Sequence, residues 1–257
     1  MTKAWNDPDF VRRWNELYGM DMRESPIRRQ LAFPLINRHM RGFHDKTLAD
    51  FGCGNGNLIG HFLDQPFRSW IGYDDGGAIL ETASSHITDP RVKFRKLDLT
   101  SSNLVFERVD VVTSVFVLEE IPDAKLHDYF RNIARALNPG GTAMIFTQHP
   151  SYAMIEDHAA LNKGEANRKF AGHKGYFDST PSTYALKLLN QRDEHPTMAE
   201  HHHKTMARIF NSATSAGMSI DTVVETPAGA EYLLDVDRHV PKSGDYPRFL
   251  FVKFGLR

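Results

Sequence analysis

A single cysteine in 257 residues, Cys53, leaves no means of forming an intrachain disulfide or a multi-cysteine zinc site. No uncharged apolar stretch is long enough to cross a bilayer, and the first residues lack the apolar segment of a signal peptide. A cytoplasmic chain without a membrane partner is the expectation. Excess charge is missing too. The formal net charge is −1, so no overall basic surface advertises nucleic acid. Internal repeats and low-complexity tracts are absent. What is present is ordinary for a globular protein, 41% hydrophobic and 25% charged. The length suits one large α/β domain with a buried sheet.

The chain opens on two helical patterns. Asp7-Pro8 is a good cap and first-turn pair for a helix over 7–22. A second helix follows Ser25-Pro26 to about Met40, with Pro34 expected to bend or divide it. From Lys46 short apolar runs alternate with amphipathic stretches. Strands are expected at 47–51, 69–74, 92–97, 109–115 and 142–147, and helices at 57–64, 77–87 and 124–137. That rhythm predicts βαβ units and a parallel sheet. Residues 150–197 break it, being rich in Gly, His, Asn, Lys, Pro and Tyr, which marks a functional or mobile insertion. A helix over 198–215 and two strands, 219–225 and 248–254, close the chain as an expected antiparallel pair at the sheet edge.

Residues 48–57 read Leu-Ala-Asp-Phe-Gly-Cys-Gly-Asn-Gly-Asn, an apolar run, an acid and three alternating glycines. Glycine permits a tight strand-to-helix turn and lets backbone N–H groups approach a ligand. The dinucleotide fingerprint G-x-G-x-x-G fails because Asn57 stands where its third glycine belongs. A P-loop fails because no Lys-Ser/Thr pair follows Gly56. What remains, D-x-G-x-G-x-G, suits a ligand with a cationic amino-acid group. It resembles the first motif of the class I S-adenosylmethionine-dependent methyltransferases.

That resemblance implies a Rossmann-like α/β fold with a seven-stranded, mostly parallel sheet and a reversed last strand. It also implies one methyltransferase domain over 1–257: an N-terminal helical cap (1–45), a cofactor core (46–148), a lid or substrate insertion (149–200) and a closing segment (201–257). S-adenosyl-L-methionine is the implied cofactor. Asp50, Gly52, Gly54 and Gly56 would cradle its methionine end. Asp74, or Asp75 in the alternative register, would take the ribose, and both also suit a plain helix cap. Asp98 and Leu99 match the adenine-binding acid and the backbone donor after it, and Val115 stands at the end of strand four. Tyr18, Met22 and Arg28 are candidates to close over the methionine end, Arg28 by pairing a carboxylate.

The acceptor side is less determined. After strand four the family commonly carries two polar residues, often histidines, where this chain has Glu119 and Glu120. A carboxylate there favours an amine or acts as base, and Glu119 is slightly preferred. His149 after strand five is a base or a polar wall residue. Tyr176 presents an aromatic face to a sulfonium or packs within the lid. His201-His202-His203-Lys204 invites a metal reading, yet consecutive helical residues diverge by about 100° and cannot converge on one ion. Related small-molecule methyltransferases carry a His-Arg pair here, which implies His203 or His202 at the acceptor pocket. No metal is expected. The leading expectation is methyl transfer to N or O of a small molecule by a monomer or homodimer. Alternatives are a cyclase that consumes the cofactor and releases methylthioadenosine, and a non-catalytic cofactor-binding scaffold.

Overall fold

The computed structural model describes residues 3–18, 27–151, 176–177, 182–186, 197–227 and 247–257. A 3-10 turn, Lys3–Asn6, precedes α1, Pro8–Tyr18. The Asp7 carboxylate accepts the Asp9 backbone N–H at 2.9 Å, the cap that the Asp-Pro pair predicts. Pro34 does divide the second helical segment. Arg28–Ala32 forms a wide π-turn, closed by the Phe33 N–H on the Arg28 carbonyl, before α2, Phe33–Met40. Proline thus lies in the first turn of α2, where a missing N–H costs nothing.

The core alternates β1, Thr47–Phe51; α3, Asn57–His61; β2, Ser69–Asp74; α4, Gly77–His86; β3, Val92–Lys96; and β4, Val109–Val115. Next come α5, Leu126–Ala136, and β5, Leu137–Gln148. A separate hairpin pairs β6, Ser182–Leu186, with β7, Thr197–His201. Helix α6, Met206–Ser215, leads to β8, Met218–Pro227, and β9, Pro247–Leu256. The seven-stranded sheet has the order β3-β2-β1-β4-β5-β9-β8. Strands β1 to β5 run parallel, and β9 runs antiparallel to both its neighbours. This is the expected seven-stranded sheet with a reversed last strand. That strand lies inside the sheet, and β8 forms the edge.

Strand alternation sends successive side chains to opposite faces. Ala49, Ile71, Val112, Ile145 and Val252 join α5 and α6 in one core layer. Leu48, Trp70, Val111, Met144 and Phe251 join α2, α3 and α4 in the other. The sequence reverses direction between β1 and β4, so the crevice at their carboxyl ends is where an open α/β sheet takes a ligand.

One expectation is corrected. The helix foreseen over 198–215 starts only at Met206, because Thr197–His201 pairs with β6 and Thr205 caps α6 by accepting the Arg208 N–H at 3.2 Å. The histidines of 201–203 are therefore not helical, and the divergence argument does not apply to them. Among the described residues, no group of three His, Cys, Asp or Glu could hold a metal, and no helix is long and apolar enough to cross a membrane. Met22 and most of the expected lid lie outside the described residues, as does the side chain of Tyr18.

Candidate active site

The turn after β1 is drawn against β2, whose Tyr73 carbonyl accepts the N–H groups of Gly52 and Cys53 at 2.8 and 3.0 Å. Its glycines do different work. At Gly52, φ is +78° and a Cβ would stand 2.3 Å from Cγ2 of Val117, so only glycine lets the segment after β4 come this close. At Gly56, φ is +81° and a Cβ would meet Ile87, just after α4, at 2.8 Å and Phe94 of β3 at 3.2 Å, so this residue serves packing of α3 against both. Gly54 has open space, with only Ile79 at 3.8 Å. Cys53 is a buried filler whose thiol is pushed well above its usual range by burial.

A cavity of about 80 Å³ lies over this turn. Its floor includes Asp50, Gly52, Cys53, Gly54 and Asp74, its far wall Val115, Phe116 and Glu120, and its roof Trp5 and Trp14. Three carboxyl groups face it. Asp50 accepts the Thr113 hydroxyl at 2.7 Å, and burial raises its pKa to about 7. Asp74 accepts the N–H groups of Gly54 and Gly76, each at 2.9 Å. Burial outweighs those donors and raises it to about 6. Both oxygens of Glu120 accept the Trp5 indole N–H at 3.1 Å; burial above all, and the nearby Asp74 charge, raise it to about 7. Arg28, whose guanidinium lies 5.2 Å from the Phe116 ring centre, is the cation on this wall, and its charge favours ionised Asp50.

Other expected residues are placed differently. Asp75 is raised by burial and does not line the cavity. Asp98 also stays outside it. Burial acts to raise Asp98, but hydrogen bonds from the Thr100 N–H and hydroxyl and from Ser101 prevail and leave it low. Leu99 is wholly buried in the core, its carbonyl accepting Asn132 at 2.8 Å.

Glu119 and Glu120 point to different places. Oε1 of Glu119 accepts the Gln148 N–H at 2.6 Å and the Thr147 hydroxyl at 2.8 Å, and burial raises its pKa. Its Oε2 is buried with no hydrogen-bond partner among the described residues. Glu119 lines a second, water-sized cavity of about 20 Å³ with His149, His202, His203 and Lys204. His149 meets Glu225 through Nε2 at 2.8 Å and Ser151 through Nδ1 at 2.7 Å, and burial lowers its pKa. His203 Nε2 donates to the Tyr176 carbonyl at 2.8 Å, while the Tyr176 hydroxyl accepts the Met206 N–H at 3.0 Å. The Tyr176 hydroxyl thus caps α6.

Lys204 was absent from the expected site set. Its buried ammonium donates to the carbonyls of Leu118 and His202 at 2.6 and 2.7 Å, and burial lowers its pKa to about 7. The His202 N–H returns a bond to the Glu119 carbonyl at 2.8 Å, so residues 202–204 clamp the turn after β4. Trp5 and Trp14 were also missed. Their one sequence signal is the aromatic content around the Asp7-Pro8 cap.

Comparison with known proteins agrees with this geometry. Residues 48–141 match the family model described as a methyltransferase domain. N-demethylindolmycin N-methyltransferase of Streptomyces griseus is 25% identical over 169 residues, 65% of this chain and 70% of that protein. A tRNA N(3)-cytidine methyltransferase of Homo sapiens is 32% identical over 139 residues, 50% of this chain and 49% of its own. The chain thus spans between half and seven-tenths of these two relatives. A crystal structure of an S-adenosylmethionine-dependent methyltransferase from Mesorhizobium loti superimposes with a TM-score of 0.64 at 20% identity, covering 86% of this chain and 96% of that one. The glycine turn and strand ends that form the cavity fall within the matched span, and residues 48–141 carry a methyltransferase domain on the fold of the S-adenosylmethionine-dependent methyltransferases.

Proposed function

We propose that the protein transfers a methyl group to nitrogen or oxygen of a small molecule. The observation that carries this reading is the roof. Residues 3–18 close the glycine-turn cavity through Trp5 and Trp14, and an Asn55–Asn15 hydrogen bond of 2.9 Å ties the roof to the turn. A bulky macromolecular acceptor has no approach through such a roof, and the near-neutral net charge of −1 gives nucleic acid no attraction.

The residues present fit the cofactor. Gly52 and Gly54 leave the turn without side chains beside the cavity, and buried Asp50 and Asp74 with half-buried Glu120 suit a ligand bearing positive charge and hydroxyl groups. When bound, S-adenosylmethionine supplies a methyl carbon activated by its sulfonium for in-line displacement. In this reading Asp50, Gly52, Gly54 and Arg28 hold the methionine end and Asp74 accepts from the ribose. Glu119, His149 and His203 form the acceptor wall with Tyr176 behind it. A neutral amine acceptor needs no strong base, whereas a hydroxyl does; in this reading Glu119, whose Oε2 has no hydrogen-bond partner among the described residues, takes that proton.

The test is to incubate the protein with S-adenosylmethionine alone, with a panel of amines and phenols, and with tRNA. Mass spectrometry then identifies the nucleoside product. S-adenosylhomocysteine formed only with a small acceptor supports the proposal. Methylthioadenosine without acceptor, or turnover with tRNA alone, overturns it.

A further inference from the structure

The three carboxyl groups facing the cavity are satisfied in different ways. Asp50 and Asp74 accept from Thr113, Gly54 and Gly76, which belong to the sheet and its turns. Among the described residues, Glu120 accepts from the indole of Trp5, 115 residues away on the roof, as a single neutral donor shared by both oxygens. A carboxylate has about four acceptor sites when ionised, so one such donor leaves Glu120 acceptor capacity to spare.

Trp5 also stands in the way. Its backbone carbonyl and Cβ press on Gly76 after β2, at 2.9 and 2.6 Å from where a Cβ would be. Its ring reaches across to Glu120 after β4, so the residue bridges the strand ends flanking β1. That crevice is the place for the ligand. The remaining cavity, about 80 Å³, is well below the roughly 300–1,000 Å³ of sites for ligands of cofactor size. A ligand of cofactor size does not fit beside Trp5 as it stands, so the Trp5–Glu120 bond is one contact that such a ligand displaces.

We propose that Glu120 is a cofactor-binding residue, accepting from an O–H or N–H donor of the bound cofactor, and that the Trp5 indole competes with the cofactor for this acceptor. The inference rests on the cofactor assignment above. Two donors share the required chemistry, the ribose hydroxyls and the amino-acid ammonium. Trp5 is then an internal competitor, and the cost of displacing it lowers the apparent affinity for the cofactor.

The test is calorimetric binding of S-adenosylhomocysteine and of methylthioadenosine, which keeps the ribose and lacks the amino-acid group. Wild type, Glu120→Gln and Trp5→Phe are compared, each checked for folding by circular dichroism. Glu120→Gln is expected to weaken S-adenosylhomocysteine by roughly tenfold, the scale of a hydrogen bond to a charged group. Equal weakening of methylthioadenosine assigns the ribose, and no effect on it assigns the ammonium. Trp5→Phe keeps the ring but removes the donor, and is expected to tighten S-adenosylhomocysteine several-fold, a gain that a merely supportive residue does not give. Unchanged affinity in folded Glu120→Gln, or weaker binding in Trp5→Phe, overturns the inference. A wild-type protein that binds neither compound overturns the cofactor assignment itself.

Discussion

Replacing Gly52 by alanine separates two costs that most glycine substitutions confound. The first is conformational, since φ is +78° and a side chain in the left-handed region costs about 1–2 kcal/mol. The second is steric, since the new Cβ would lie 2.3 Å from Cγ2 of Val117, and forcing atoms into a packed interior costs about 1–3 kcal/mol. Gly52→Ala should therefore lose about 2–5 kcal/mol of stability. Gly140 is the control. Its φ is +76° with nothing within 4 Å of a built Cβ, so Gly140→Ala should lose only the conformational part, about 1–2 kcal/mol. Trimming the obstacle isolates the rest. Val117→Ala alone should cost about 2 kcal/mol, and the double variant should recover about 1–3 kcal/mol relative to the sum of the singles. Urea unfolding at constant m-value provides the free energies. The reasoning fails if Gly52→Ala costs no more than Gly140→Ala, or if the cycle shows no coupling. Because Val117 precedes Glu119 and Glu120, the same variant should also weaken S-adenosylhomocysteine binding.

The other predictions draw on buried charge. Asp50 and Glu120 at about 7 and Asp74 at about 6 lie above their unfolded values near 4, so the folded protein holds protons that the unfolded chain releases. Their contribution to stability is full below pH 4 and is lost as pH rises to about 7. Asp50→Asn should consequently melt above wild type at pH 8 and level with it at pH 4; an equal difference at both would contradict the burial argument. Asp74→Ala removes the acceptor for the Gly54 and Gly76 N–H groups, and S-adenosylhomocysteine affinity should fall at least tenfold by calorimetry, with unchanged affinity refuting the ribose assignment. Tyr176→Phe removes a helix cap and should cost about 1 kcal/mol in urea unfolding while leaving S-adenosylhomocysteine affinity alone; a drop in affinity would place the hydroxyl in the pocket.

What could be read in advance was local. The glycine turn and the acids at the ends of β1 and β2 follow from short-range patterns, and each strand foreseen up to residue 115 is present within a residue, whereas the reversed last strand was implied by the family resemblance. The helix over 198–215 failed because five residues gained a β partner, Ser182–Leu186, whose pairing no local periodicity announces. Glu119 and Glu120, neighbours in sequence, were separated only by a slight preference for Glu119. A single turn after β4 sends one to β5 and the other to the roof. Trp5 was invisible for the same reason, its partner lying 115 residues away.

The Lys204 clamp bears on how much of the chain can change without disturbing the turn after β4. Both ends of the clamp, the turn at 118–120 and residues 202–204, lie outside the stretch from Pro150 to Pro196. An exchange of that stretch would leave the clamp's own bonds intact. The turn after β4 therefore keeps its anchor whatever changes within that stretch, while β7 and the start of α6 lean on Ser182–Leu186 and Tyr176 inside it. A protein altered there but retaining Tyr176, β6 and Lys204 should still bind S-adenosylhomocysteine.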